Sequence, residues 1–155
     1  MRVDSASRLL AASPEAIFRA FVEPDLLSAW LPPPGMTGRL ERFDPVVGGG
    51  FRMVLTYEPS DASEGRGKFT DDSDVADTRI VALEPPNRVV WEVDFPSDDP
   101  AFAGTMTMAW SFAAGEVGSL VTVQCTDVPP GIDPRDHAVG LASSLEQLER
   151  VVAFA

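Results

Sequence analysis

The last segment, Asp133 to Ala155, constrains the fold more than any other stretch. Asp133 is placed to cap free backbone N–H groups, and Pro134 fits the first helical turn, where its missing N–H costs nothing. His137, Leu141, Leu145, Leu148 and Val152 then recur at spacings of four, four, three and four, which is one face of an α-helix. Arg135, Glu146, Glu149 and Arg150 lie mostly off that stripe. At 1.5 Å per residue the helix is on the order of 30 Å long. It cannot bury its stripe alone, so the chain upstream has to supply the surface.

That surface is legible as strands. Val3 to Ala12 has weak period-2 character. Ser13-Pro14-Glu15 starts a helix with Ile17, Phe18 and Phe21 on its apolar face, and Glu23-Pro24-Asp25 restarts the chain into a short second helix that Pro32-Pro33-Pro34-Gly35 stops. From Thr37 the period is two. Thr37–Asp44 is a strand, and Pro45 to Gly50 is a turn. Phe51–Glu58 puts Phe51, Met53, Leu55 and Tyr57 on one face. After a loop from Pro59 to Asp72, Val75–Leu83 is the next strand. Arg88–Phe95 aligns Val89, Trp91, Val93 and Phe95, and Gly104–Phe112 aligns Met106, Met108, Trp110 and Phe112. A Gly115–Gly118 hairpin turn leads to Leu120–Thr126. Consecutive strands with short turns predict an antiparallel meander, one face wet and one packed on helices. The expected class is α+β. A curved sheet of about six to seven strands wraps a long C-terminal helix, with two short helices after strand 1, in one domain over residues 1–155.

Composition excludes several functions. A net charge of −12 disfavours nucleic acid and anionic membrane surfaces, which need a positive field. Cys125 is the single cysteine and His137 the single histidine, so neither an internal disulfide nor a zinc cluster can be built. The N-terminal stretch has polar residues where a signal peptide needs an apolar core, and no apolar run reaches membrane-spanning length. The expected setting is cytoplasmic, without membrane insertion.

Four pieces of the chain together resemble a known family. They are Ser13-Pro14-Glu15-Ala16-Ile17-Phe18 with Trp30-Leu31; Gly48-Gly49-Gly50-Phe51-Arg52; Leu83-Glu84-Pro85-Pro86-Asn87-Arg88-Val89-Val90-Trp91; and His137-Ala138-Val139-Gly140-Leu141. In order and spacing they resemble the START-like (SRPBCC) superfamily, and within it the group related to the C-terminal domain of the activator of heat shock protein 90 ATPase. The resemblance implies a helix-grip fold with a cavity between sheet and long helix. Many members bind small apolar or amphipathic molecules there, some distant relatives are cyclases or hydratases, and others are co-chaperone domains. Leu141 stands where relatives often carry Trp, which makes that end of the implied cavity more apolar.

The candidate ligand-binding residues are Trp30, Phe51, Met53, Leu55, Tyr57, Trp91, Val93, Phe95, Met106, Met108, Trp110, His137, Leu141 and Leu145. Large rings and flexible Met side chains suit an adaptable apolar pocket, although most such residues serve as plain core in any protein. His137 has two readings. The bland one, which general grounds favour, is a structural histidine bonded to a nearby carbonyl. The sharper one is a ligand-orienting donor or general acid/base, which wants an inward carboxylate or Tyr partner, and Tyr57 is the best candidate by parity. Glu92 and Asp94 alternate outward, and no inward carboxylate pair is evident, which argues against glycosidase-type hydrolysis. Gly140 is expected to let the last helix approach the sheet.

Seven acids between Glu58 and Asp77 suggest a solvated flap. Asp72-Ser73-Asp74 lacks the residues of an EF-hand loop. Gly48-Gly49-Gly50 has no following Lys-Ser/Thr and is a turn rather than a phosphate loop. Cys125 is expected to be inert. The leading expectation is a non-enzymatic protein that binds a small hydrophobic ligand, with no catalytic residue, cofactor or metal. A co-chaperone-like interaction module with a chaperone partner is the first alternative. A cyclase or hydratase acting on a polyketide or aromatic substrate is the second. Open sheet edges keep a homodimer in view.

Overall fold

The computed structural model describes residues 2–57, 73–95 and 98–153. Its elements are β1 (Val3–Leu10), α1 (Pro14–Val22), α2 (Pro24–Trp30), β2 (Met36–Asp44), β3 (Gly50–Tyr57), β4 (Ser73–Glu84), β5 (Arg88–Phe95), β6 (Gly104–Gly115), β7 (Gly118–Thr126) and α3 (Pro134–Val152). The strands form one antiparallel sheet in the order β1-β7-β6-β5-β4-β3-β2. The meander thus runs unbroken from β2 to β7, and β1 closes onto β7. This is the α+β, helix-grip-like arrangement that the alternating strands and long terminal helix predict.

Local chemistry sets the helix starts. Ser13 Oγ accepts from Ala16 N at 3.2 Å, with Pro14 in the first turn of α1. Asp133 accepts from the backbone N–H groups of Arg135 and Asp136 at 2.8 and 3.2 Å, with Pro134 opening α3. Each cap satisfies donors that the helix cannot satisfy itself. The carboxyl end of α2 is held from elsewhere. Gln147 on α3 donates to the carbonyls of Trp30 and Pro32, both at 2.7 Å.

Register shifts between Leu40 and Arg42 on β2, and between Ile80 and Ala82 on β4, bend the sheet. Its inner face carries the large residues. Phe21 of α1 meets Trp30, Trp91, Trp110 and Phe112 at ring-centroid distances of 5.0, 5.4, 5.1 and 5.2 Å. Phe51 packs edge-on to Trp91 at 5.3 Å. The α3 stripe is buried at Leu141, Leu145, Leu148 and Val152, and the helix packs on β1, α1 and α2. The outer face of β2–β5 is a lattice of exposed ion pairs. Arg52 reaches Glu41 at 3.0 Å and Asp77 at 2.9 Å, and Arg79 reaches Glu92 at 3.1 Å and also Asp94. Exposed pairs of this kind each add little stability.

Two expectations change here. The acidic stretch splits. Residues 58–72 lie outside the described residues, so the flap reading falls there, while Asp74 and Asp77 belong to β4, which begins at Ser73 because β3 extends its ladder to Thr56↔Ser73. Gly140 makes no close approach. It is exposed, and a Cβ at that position meets nothing within 4 Å. The glycine that does permit contact is Gly50, where a Cβ would lie 2.1 Å from the Thr78 carbonyl oxygen.

The two glycines therefore predict opposite outcomes. Gly140→Ala removes backbone freedom from an exposed helix interior and is expected to stabilise by about 1 kcal/mol. Gly50→Ala has to push β3 from β4 and is expected to cost about 1–3 kcal/mol. Urea unfolding of the two variants beside the parent measures both.

Candidate functional site

The inner face is not uniform along its length. On β3, Phe51 and Met53 are fully buried, while Leu55 and Tyr57 beyond them are half-buried. On β5, Val89 and Trp91 are buried, and Val93 and Phe95 are half-buried. Two antiparallel steps separate β3 from β5, so they run the same way, and their half-buried residues share one end of the sheet. On β6, which runs oppositely, Phe112 and Trp110 are buried and Met108 is half-buried, with Met106 at 5% exposure. The other end is filled by α1 and α2, which lay Phe21 and Trp30 against Trp91 and Trp110.

The expected site residues thus fall into two groups. Trp30, Phe51, Met53, Trp91, Met106, Trp110, Leu141 and Leu145 are buried in the core. Leu55, Tyr57, Val93, Phe95, Met108 and His137 are half-buried; Leu55 and Tyr57 lie toward the end of β3, Val93 and Phe95 toward the end of β5, Met108 within β6, and His137 in the first turn of α3. Among the described residues, Trp91 Nε1 and Trp110 Nε1 are buried donors without a hydrogen-bond partner, whereas Trp30 Nε1 donates to the Ala20 carbonyl at 2.8 Å. A buried donor left unpaired costs about 1–3 kcal/mol.

His137 has an inward carboxylate as its partner, one of the two partner types expected for the sharper reading, though not the residue singled out for it. Its Nδ1 bonds neither a backbone carbonyl nor Tyr57 but Asp4 Oδ2, at 2.6 Å. The inner face therefore does hold a carboxylate. Asp4, Ala6, Arg8 and Leu10 alternate on β1 toward the face that α3 covers, opposite Cys125, Val123, Val121 and Ser119 of β7. Asp4 also accepts from Arg2 Nη2 at 2.8 Å and Arg2 Nε at 3.2 Å. Arg2 in turn donates to the carbonyls of Ile132 and Pro129, just before α3. At the far end of the helix Arg8 pairs with Glu149 at 2.9 Å. The period-2 pattern of β1 was the available signal for Asp4, but it is weak because this face mixes charged and apolar residues.

These contacts set the electrostatics. The Arg2 guanidinium, with help from His137, holds the Asp4 carboxyl below the usual carboxylate range against the opposing effect of burial. Burial, reinforced by the Asp4 charge, pushes the Cys125 thiol up to about 12, so it stays protonated and unreactive at neutral pH. Among the described residues no three His, Cys, Asp or Glu side chains come together as a metal site requires, and no described helix is long and apolar enough to cross a membrane.

The Asp4 cluster predicts a pH dependence. A carboxyl whose pKa is lowered by folding stabilises the fold fully above its unfolded value, about 3.9, and loses that contribution as pH falls through the folded value. Asp4→Asn is expected to lower stability near neutrality by on the order of 1–2 kcal/mol. It should also flatten the acid limb of the stability curve below about pH 4. Urea midpoints across the acid range check it, and a parallel acid limb in both proteins would contradict it.

Comparison with known proteins agrees with this architecture. Protein CV1439 from Chromobacterium violaceum is 27% identical, with 97% of this chain and 96% of that one aligned at a TM-score of 0.81. Protein MLL2253 from Mesorhizobium loti is 20% identical, covering 99% and 98% of the two chains at 0.75. The AHSA1-like protein from Aeromonas hydrophila is 19% identical, covering 98% and 92% at 0.76. The latter two likenesses concern the fold alone. No curated protein matches this chain. The family model described as Activator of Hsp90 ATPase homolog 1-like protein matches residues 11–153. With its helix-grip-like sheet and that match over most of its length, the chain belongs to the Activator of Hsp90 ATPase homolog 1-like family.

Proposed function

We propose that this protein binds a small apolar or amphipathic molecule in a cleft between the open end of the inner sheet face and the first turns of α3. The observation that carries the reading is the change in burial along single strands: Phe51 and Met53 against Leu55 and Tyr57, and Val89 and Trp91 against Val93 and Phe95. Core residues of one face normally stay buried together, and a run of apolar residues left half-open beside a helix start is what an apolar ligand would cover. Met108 adds an adaptable wall.

A thermal-shift panel of fatty acids, flavonoids and polycyclic phenols tests the reading. A ligand at a hundredfold excess over its Kd is expected to stabilise by about 2.7 kcal/mol. Phe95→Ala is expected to weaken binding more than it lowers stability. Trp91→Ala, by contrast, is expected to cost about 3–5 kcal/mol of stability. If nothing in the panel raises the melting temperature, the cleft is not a ligand site.

The family description supports a second reading, a co-chaperone-like module. Adding the protein to heat shock protein 90 and measuring ATP turnover tests it directly. Unchanged turnover removes it.

A further inference from the structure

β1 is an edge strand, and the ladder tells which of its backbone groups are free. The Asp127 N–H donates to the Arg2 carbonyl. Bonded residues alternate along an antiparallel strand. Asp4, Ala6, Arg8 and Leu10 therefore turn their backbone groups to β7, and Val3, Ser5, Ser7 and Leu9 turn theirs to the open side. The latter four are all exposed, Val3 at 44% and Leu9 at 58%. Leu120, opposite Leu9 on β7, is exposed at 45%.

The outer sheet face at this edge carries no charge. The residues of β1, β7 and β6 that share it are Val, Leu, Ala, Ser, Thr and Gln. The ion pairs of the outer face stand on β2–β5 instead. In a chain of net charge −12, two copies meet with least repulsion at an uncharged face.

We propose that β1 pairs antiparallel with β1 of a second copy, about a twofold axis at Ala6, so that two sheets join into one. Val3 then bonds the partner's Leu9, and Ser5 bonds the partner's Ser7. Between them Asp4 faces the partner's Arg8, twice by symmetry, at positions where cross-strand side chains stand closest. Ala6 meets the partner's Ala6 on the axis, where a small residue leaves room. On the outer face Leu120, Leu9 and the partner's Val3 line up as one apolar row.

Charges on an edge strand usually deter pairing. Here they deter the other registers. A slip of two residues one way sets Arg2 against the partner's Arg8. The same slip the other way sets Asp4 against the partner's Leu10 and Arg8 against the partner's Ala6. A slip of one residue sets free backbone groups against bonded ones. The twofold axis stands perpendicular to the sheet, so both α3 helices lie on one side of it. Arg8 reaches Glu149 at 2.9 Å and Glu146 at 4.0 Å, so that side of α3 is turned to β1. One and two turns earlier the same side carries Ala142 and Val139, both exposed and uncharged, where the two helices come alongside.

Sedimentation of the full chain is expected to show a concentration-dependent dimer. Amide exchange locates it. The N–H groups of Ser5, Ser7 and Leu9 are expected to gain at least about tenfold protection from dilute to concentrated protein, and those of Ala6 and Arg8, already bonded to β7, much less. Oxidising a mixture of Ser5→Cys and Ser7→Cys chains is expected to trap a mixed disulfide dimer. Both positions are exposed, so the fold tolerates them, and Cys125 is buried and does not compete. A chain still monomeric at about 1 mM, the Kd of a very weak complex, would overturn the proposal. So would a dimer whose Ser5 and Ser7 amides stay unprotected, or one in which the two cysteine variants do not cross-link.

Discussion

The packing of Phe21 is the interaction on which the rest of the fold depends. Its ring touches one aromatic residue of α2, one of β5 and two of β6, all within 5.4 Å. Rings of this size bury roughly 150–250 Å² each, and edge-on or tilted pairs add about 0.5–1.5 kcal/mol apiece beyond that area. Phe21 thereby fixes α1 onto the centre of the sheet. With α1 and α2 in place, α3 has the remainder of its seat, and its stripe closes over β1, α1 and α2. The dense end of the molecule is thus determined by one ring and its neighbours. The open end is what those neighbours do not reach.

That asymmetry explains how one sheet face serves as core and candidate site at once. Where Phe21 and Trp30 sit, the inner residues are buried to 2% exposure or less. Where they do not, residues of the same strands and the same alternation are half-open. No change of residue type marks the transition: Leu55 and Phe95 are as apolar as Met53 and Trp91. The difference is in what lies above them.

Polar contacts pin the two ends of α3 to β1. His137 meets Asp4 near the helix start, and Glu149 meets Arg8 near its end. An edge strand exposes unpaired backbone groups on its outer side and is easily displaced. Here the strand is held on its inner face by charge as well as packing, and Arg2 extends the tie to the segment before α3.

Much of this was legible in the residues alone. Periodicity of two named the inward faces of β3, β5 and β6, and periodicity of four and three named the buried stripe of α3, because both are properties of the local backbone. Caps at Ser13 and Asp133 were equally local. The division of the inward residues into buried and half-buried was not legible, since it depends on where two short helices land. The partner of His137 was not legible either: Asp4 lies 133 residues away, and only the closure of β1 onto β7 beneath α3 brings the pair together. Gly140 shows the same limit from the other side, since a glycine in a helix is visible in the sequence while the side of the helix it faces is settled by packing. The sequence by itself determined the elements, their faces and the family resemblance. Only the tertiary structure decided which faces are covered and which charges meet, because those depend on contacts between segments far apart along the chain.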